Sequence, residues 1–510
     1  MLISINENVI DKMRRGIWST DCVEMILTQN GVDEPVKFVG QGYLRQEVDG
    51  TIHYRLYPTT VTGVDPMAGH TPLGVAGMLI EPHRFYRLET RAQDGLRWQV
   101  ERTIPEIDRS YLDTGLHYLV GGDARQISFR RRVYIQPSRL TKFYLTMIFF
   151  AETKIPCNTR TKTTSVIGNE QSQMSSRLDV SLVSTEFGEF TISKKPGMVI
   201  VEVVAENPFS ANIETRIVEA LGLVLATPLD WNVISRVEND IETVHVRGKP
   251  HVVNAQLLPP VGPCRDVDLN GDVWRLFARY LSLVCTHTGD SFHPCSRHLF
   301  AVLKASAGGI MASGLALSVA VEGIVKELFP HAGPPMEGMG EIVQRLQEYC
   351  LAWKDIPGGE LGKSLKQRLP GMIGQLNNIS TKDRLYAVAK EKVTSETLIK
   401  AWNELRHKLA HGVTPGSRSN QKLVDMCNNV TQLMYHLIFR GAGYEGTYED
   451  YSSRGFPTKR YRGRSLAQEE IAIAAYFIRE NENCKRGYVE HGHDVEDWFA
   501  AKEQLEQGLL

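Results

Sequence analysis

The hydrophobic pattern of this chain changes period near residue 260, and that change decides what the chain can fold into. Before it, apolar and polar residues alternate in short runs, the mark of half-buried strands. After it, apolar residues recur every three or four positions, the mark of amphipathic helices. Between the two regimes stands Leu257-Leu-Pro-Pro-Val-Gly-Pro-Cys264, whose prolines remove backbone donors and interrupt either structure. With 510 residues the chain is also too long for one hydrophobic core. The expectation is an α+β multidomain protein, with a β-rich region over residues 1–260 and helices beyond.

In the first region Asp49-Gly50 separates Gly42–Val48 from Thr51–Tyr57, and Asp94-Gly95 separates Phe85–Thr90 from Leu96–Glu101. Both dipeptides predict hairpins, because glycine adopts the positive φ of a tight turn without a steric penalty. Further strands are predicted at Lys142–Phe150, Leu178–Thr185, Phe190–Ser193 and Met198–Ala205. This regular spacing suggests a sandwich or barrel-like domain. Ile213–Leu225 reads as an amphipathic helix set among the strands.

Beyond Asp266, helices are predicted over Val273–Cys285, Leu299 through Leu328, Met339–Trp353, Leu361–Ile373, Thr381–Ala389, Ser395–Leu409 and Gln421–Leu437. Residues 444–465, polar with Gly, Tyr and Arg, read as a mobile basic connector. A last helical pair, Leu466–Glu480 and Val495–Gln507, makes a short hairpin in residues 466–510.

Composition excludes more than it assigns. Fifty-eight Lys and Arg against 59 Asp and Glu leave no global field for nucleic acid, so any such binding must be local. The eight scattered cysteines and a polar N-terminus point to a reducing cytoplasm. Ala305–Val321 is apolar, but it is short and runs directly into Glu322, so a buried helix is expected rather than a membrane span.

The segment that speaks of chemistry is Ala401-Trp-Asn-Glu-Leu-Arg-His-Lys-Leu-Ala-His-Gly412. Arg406 and His411 are five residues apart, a rotation of roughly 140° on an ideal helix, so they would not share a face. Gly412 and Pro415, however, end the helix just after His411, and a residue at an unwinding end can turn back. The bland alternative is an Arg near a helix C-terminus and a capping His, both favoured there by the helix dipole. Arg486 and His491 repeat the same spacing and are taken as an accident of fifteen histidines.

This segment resembles the Arg-x4–6-His signature of HEPN nucleases, with a polar residue, here His407, after the Arg. Asn403, Leu405, Ala410 and Gly412 agree with it, as does the run of helices upstream. The resemblance implies an all-α HEPN bundle over residues 266–443. It also implies a metal-independent endoribonuclease that uses no cofactor and cuts RNA by attack of its own 2′-hydroxyl. Arg406 and His411 would be catalytic, His407 would orient phosphate or imidazole, and Glu322 on an earlier helix would hold one of the pair. It further implies a homodimer or higher homo-oligomer formed through the helical domain. The order of parts is similar to ApeA-type anti-phage proteins, implying a β-rich sensor, a phage-derived trigger and abortive infection. Glu469–Leu505 is similar to a small bacterial domain of unknown function. A non-catalytic assembly module, or a sensor of a phage signal, is the rival reading.

Two other clusters carry side chains of chemical interest. Cys285, His287, His293, Cys295 and His298 have zinc-type side chains, but their spacing matches no common finger, and a loop between two helices is the reading adopted. Arg454, Lys459, Arg460, Arg462 and Arg464 alternate with Phe456 and Tyr461. Cations neutralise phosphates and aromatics stack on unpaired bases, so this segment is the candidate RNA contact, with a solvated linker as the equal alternative.

Overall fold

The computed structural model describes residues 6–63, 79–112, 115–134, 141–167, 171–248, 258–262, 271–334, 338–352, 359–410, 420–462, 499 and 501. Its contacts divide the chain into two compact units. The first comprises residues 1–214, 229–253 and 265–270, the second 215–228, 254–264 and 271–510.

In the first unit α1 (Glu7–Arg15) precedes β1 (Ser19–Gln29), β2 (Lys37–Gln46), β3 (Ile52–Thr62), β4 (Tyr86–Ala92), β5 (Trp98–Thr103), β6 (Glu106–Leu112), β7 (Gly115–Ala124) and β8 (Gln126–Arg132). Then come β9 (Phe143–Phe149), β10 (Thr159–Ile167), β11 (Gln171–Thr185), β12 (Gly188–Lys195), β13 (Met198–Ala205), β14 (Val233–Glu238) and β15 (Ile241–Arg247). All fifteen pair in one sheet, in the order β10-β11-β12-β13-β9-β14-β15-β8-β5-β4-β1-β2-β3-β7-β6. The two expected hairpins are present. Gly50 (φ 94°) turns β2 into β3 with Asp49 Oδ1 accepting from Thr51 N at 2.8 Å. Gly95 (φ 83°) turns β4 into β5, where Asp94 Oδ1 accepts from Leu96 N at 3.0 Å.

The strands form one hydrogen-bonded sheet, which curls so that β5 meets β7. Trp18, Trp98 and Phe129 meet edge to face, with ring centres 5.3 and 4.8 Å apart, in a core shared with Leu27, Phe38, Tyr54 and Leu88. The curl brings β5 to β7, where Thr103 Oγ1 donates to the Asp123 carbonyl at 2.9 Å.

The second unit holds α2 (Ile213–Val224) from Thr215 onward, then α3 (Asp272–Cys285), α4 (Pro294–Ala305), α5 (Ile310–Leu328), α6 (Met339–Ala352), α7 (Gly359–Gly374), α8 (Thr381–Lys390), α9 (Glu396–Ala410) and α10 (Asn420–Ala442). It ends, among the described residues, in the strands β16 (Gly446–Glu449) and β17 (Thr458–Tyr461). The helix expected to run unbroken from Leu299 to Leu328 is two helices. Gly309 at φ 88°, ψ 176° follows a 3-10 turn at Ser306–Gly308, a conformation that favours glycine and ends the first helix. The connector expected at 444–465 is also ordered over its described part: Tyr444, Tyr448, Tyr451 and Tyr461 are buried. The final helical pair lies outside the described residues, apart from Phe499 and Ala501.

One charged group organises the start of this unit. Arg216 on α2 is 1% exposed and ion-pairs with Glu219 one turn on. It also donates to the carbonyls of His287 and Ser291, each at 3.1 Å, and of Gly289 at 2.5 Å. Glu219 in turn accepts from the His293 backbone N–H at 3.2 Å. The α3–α4 loop therefore has its carbonyls satisfied by a buried guanidinium. Replacing Arg216 with Ala strands Glu219 and three carbonyls, so denaturant unfolding should show a loss of about 3–5 kcal/mol. Arg216→Lys should recover little of it, because an ammonium cannot reproduce the planar fork.

Candidate functional site

α9 starts where Ser395 Oγ accepts from Leu398 N at 3.4 Å, and it buries Leu398, Ile399, Trp402 and Leu405. That i, i+1, i+4, i+7 pattern turns one face to the core and leaves Arg406 and His407 on the exposed side. α5, α9 and α10 pack against one another, so the inner face of α9 meets α5.

Two contacts, one helical turn apart on both helices, set the register of α9 on α5. The Trp402 indole N–H donates to the Ser318 carbonyl at 3.1 Å. Four residues further along each helix, Arg406 Nε lies 2.5 Å from Glu322 Oε1. The guanidinium carbon also sits 5.7 Å from the centre of the Trp402 ring. Glu322 is 20% exposed and Arg406 52% exposed, so the carboxylate is sheltered while the cation reaches solvent. An ion pair this open contributes about 0–1 kcal/mol. Loss of a buried tryptophan costs about 3–5 kcal/mol. Trp402 therefore sets the geometry, and the ion pair only orients the side chain.

Around this pair, hydrogen bonds from Lys408 and then Lys422 hold the Glu404 carboxyl below its ordinary range, at 2.7 and 2.9 Å. Glu404 thus keeps two neighbouring ammonium groups partly neutralised, whereas Arg406 has Glu322. His407 is exposed on the outer side of α9. His411 lies outside the described residues, which stop at Ala410 and resume at Asn420.

The cysteine and histidine cluster is a loop and a helix cap. His293 caps α4, its Nδ1 accepting from Cys295 N at 3.1 Å, and burial lowers its pKa to about 4. Burial pushes the Cys295 thiol well up. Among the described residues no three His, Cys, Asp or Glu side chains converge to hold a metal. Sequence reading missed Arg216 and Glu219, although an Arg and a Glu three apart, followed on the helix only by apolar residues and glycine, were visible as a signal.

The aromatic-basic segment is a hairpin folded onto α10. Tyr461 is buried, its ring 5.2 Å from Phe439 and 5.3 Å from His436, and its hydroxyl donates to the His436 carbonyl at 3.3 Å. Its faces are taken up by packing, so the base-stacking role expected of it is not open to it in this fold. Lys459 is engaged with Asp450 at 2.7 Å. Arg454 and Arg460 are exposed, Arg462 is half-buried, and Arg464 lies outside the described residues.

No family model, curated protein or solved structure matches this chain. No helix among the described residues is long and apolar enough to cross a membrane.

Asp450 ties the hairpin together, and its protonation should loosen it. Burial alone would push its carboxyl up, but hydrogen bonds from Lys459, Ser452 and Ser453 outweigh that and hold it at about 2. A depressed carboxyl contributes stability that is complete above the unfolded pKa of roughly 3.9 and fades as pH falls through the folded value. Protection of the amides in residues 446–461, taken relative to their intrinsic exchange rates, should therefore fall between about pH 4 and pH 2. Asp450→Asn should show fast exchange at neutral pH and little further acid response; unchanged exchange in the variant would refute this role.

Proposed function

We propose that the chain is a metal-independent endoribonuclease of the HEPN type, with the helical unit as the nuclease. The observation that carries the reading is the contact between Glu322 and Arg406. It joins two residues singled out from separate parts of the sequence, and it leaves the cation half open to solvent.

In this proposal the ribose 2′-oxygen attacks the adjacent phosphorus as the bond to the 5′-oxygen breaks. The product is a 2′,3′-cyclic phosphate and a free 5′-hydroxyl. His411 removes the 2′-hydroxyl proton or supplies one to the departing 5′-oxygen, because an imidazole titrates near neutrality. A second imidazole, from His407 or from the other copy of the chain, serves the remaining transfer. Arg406 meets the charge that grows on the phosphate oxygens. Contact through Nε occupies the stem side of the guanidinium and leaves the Nη1 and Nη2 edge for the phosphate. DNA lacks the attacking hydroxyl and is not a substrate.

A homodimer fits the same helix. Met311, Leu315 and Val319 recur every four residues on α5 and are 37%, 48% and 53% exposed, a stripe that runs toward Glu322. A second copy packed there would cover this apolar surface and bring two Arg406 side chains toward one cleft. The resemblance to ApeA-type proteins supports bacterial abortive infection, with the β-rich unit as sensor of a phage-derived trigger.

Labelled RNA in excess chelator tests the activity. Wild-type protein should cleave, and Arg406→Ala and His411→Ala should each lose about 10²–10⁴-fold. Undiminished cleavage by both variants would reject the assignment. If resting protein is silent, toxicity on expression provides the same comparison: it should vanish in both variants, and its persistence would favour a non-catalytic module. For the dimer, Leu315→Glu with Val319→Glu should shift the mass measured by light scattering toward the monomer, whereas Ile342→Glu on α6 should not.

A further inference from the structure

A cleft of about 660 Å³ opens in the first unit where its sheet forks. β5 and β8 pair at only two positions, Trp98 with Phe129 and Gln99 with Ser128. β5 then leaves its neighbour and ends against β7 through the bond from Thr103 to Asp123. Main chain floors the wedge between the diverging strands at Gly122, where a Cβ would stand 2.7 Å from the Tyr54 hydroxyl. Its size falls within the roughly 300–1,000 Å³ of small-molecule sites.

The charges lining it are unevenly committed. Asp123 Oδ1 lies 3.0 Å from His53 Nδ1, and Glu101 Oε2 lies 3.8 Å from Arg87 Nε. Arg102 and Arg125 have no carboxylate partner among the described residues. Arg102 instead sits over Phe85, its guanidinium carbon 3.6 Å from the ring centre, a contact that leaves its charge unneutralised. Glu106 is the remaining carboxylate.

We infer that this cleft binds a nucleoside phosphate. Two guanidinium forks provide bidentate donors for phosphate oxygens. Arg102, backed by Phe85, offers a face on which a base can stack. Glu106 and the Ser128 hydroxyl can accept from base or ribose donors. A bare anion would leave the Arg102 face and Glu106 unused, and an uncharged nucleoside would leave the two cations unmet. This site lies in the first unit and does not depend on the nuclease assignment.

Calorimetric titration of the full chain with GMP, AMP, guanosine and inorganic phosphate tests it. At least one nucleotide should bind about tenfold or more tightly than guanosine and than phosphate, a difference worth one power of ten per 1.4 kcal/mol. Arg102→Gln and Arg125→Gln, both at exposed positions, should each weaken that nucleotide about tenfold with no change in melting temperature. Arg406→Ala should bind it as the wild type does, which separates the cleft from the nuclease site. Absence of heat with both nucleotides at millimolar concentration would overturn the inference. So would phosphate alone binding as tightly as either nucleotide, or affinity unaltered in both Gln variants.

Discussion

Glu322 and Arg406 meet because Trp402 cannot sit anywhere else. Its indole is buried between helices and its one donor is bound to the Ser318 carbonyl, which fixes both the rotation and the register of α9 against α5. Sliding α9 by one residue would turn Trp402 out of the core and carry Arg406 roughly 100° around the helix, away from the carboxylate. The ion pair is too exposed to hold two helices together. Its effect is to remove side-chain freedom from a cation already placed by packing. A stable core contact thus positions a solvent-facing charge, the arrangement that a binding or catalytic arginine requires.

The period change near residue 260 announced strands and helices correctly, because side-chain alternation reports directly on which face is buried. Both Asp-Gly turns were legible for the same local reason. What the pattern could not convey was how strands far apart in sequence pair. Nothing local distinguishes fifteen strands in one curled sheet from two stacked layers, since either architecture buries alternate residues. The break at Ser306–Gly309 was hidden by flanking sequence that is apolar on both sides. The hairpin at 446–461 reads as a connector because its tyrosines look polar by composition, yet Tyr448, Tyr451 and Tyr461 bury their rings, and Tyr451 and Tyr461 bond their hydroxyls to backbone carbonyls. At the candidate site, Arg406 and Glu322 could be named from the sequence, but the Trp402 contact that brings them together could not.

The path of the chain between the two units also has physical content. It leaves the first unit after Glu214, forms most of α2 within the second, and returns to the first at Leu229. α2 therefore belongs by contact to the helices and by connectivity to the strands. Arg216 on that helix satisfies three carbonyls of the α3–α4 loop.

In the proposed reaction Arg406, held by Glu322, faces a phosphodiester that is cut by its own neighbouring hydroxyl. The most direct measurement is mass spectrometry of the ends produced from an RNA cut at a defined site, beside the same RNA carrying a single 2′-deoxy nucleotide at that position. A 2′,3′-cyclic phosphate on the upstream fragment and no cut at the substituted site are the expected result. A cut that persists at the deoxy nucleotide, or an upstream fragment ending in a free 3′-hydroxyl, would contradict it.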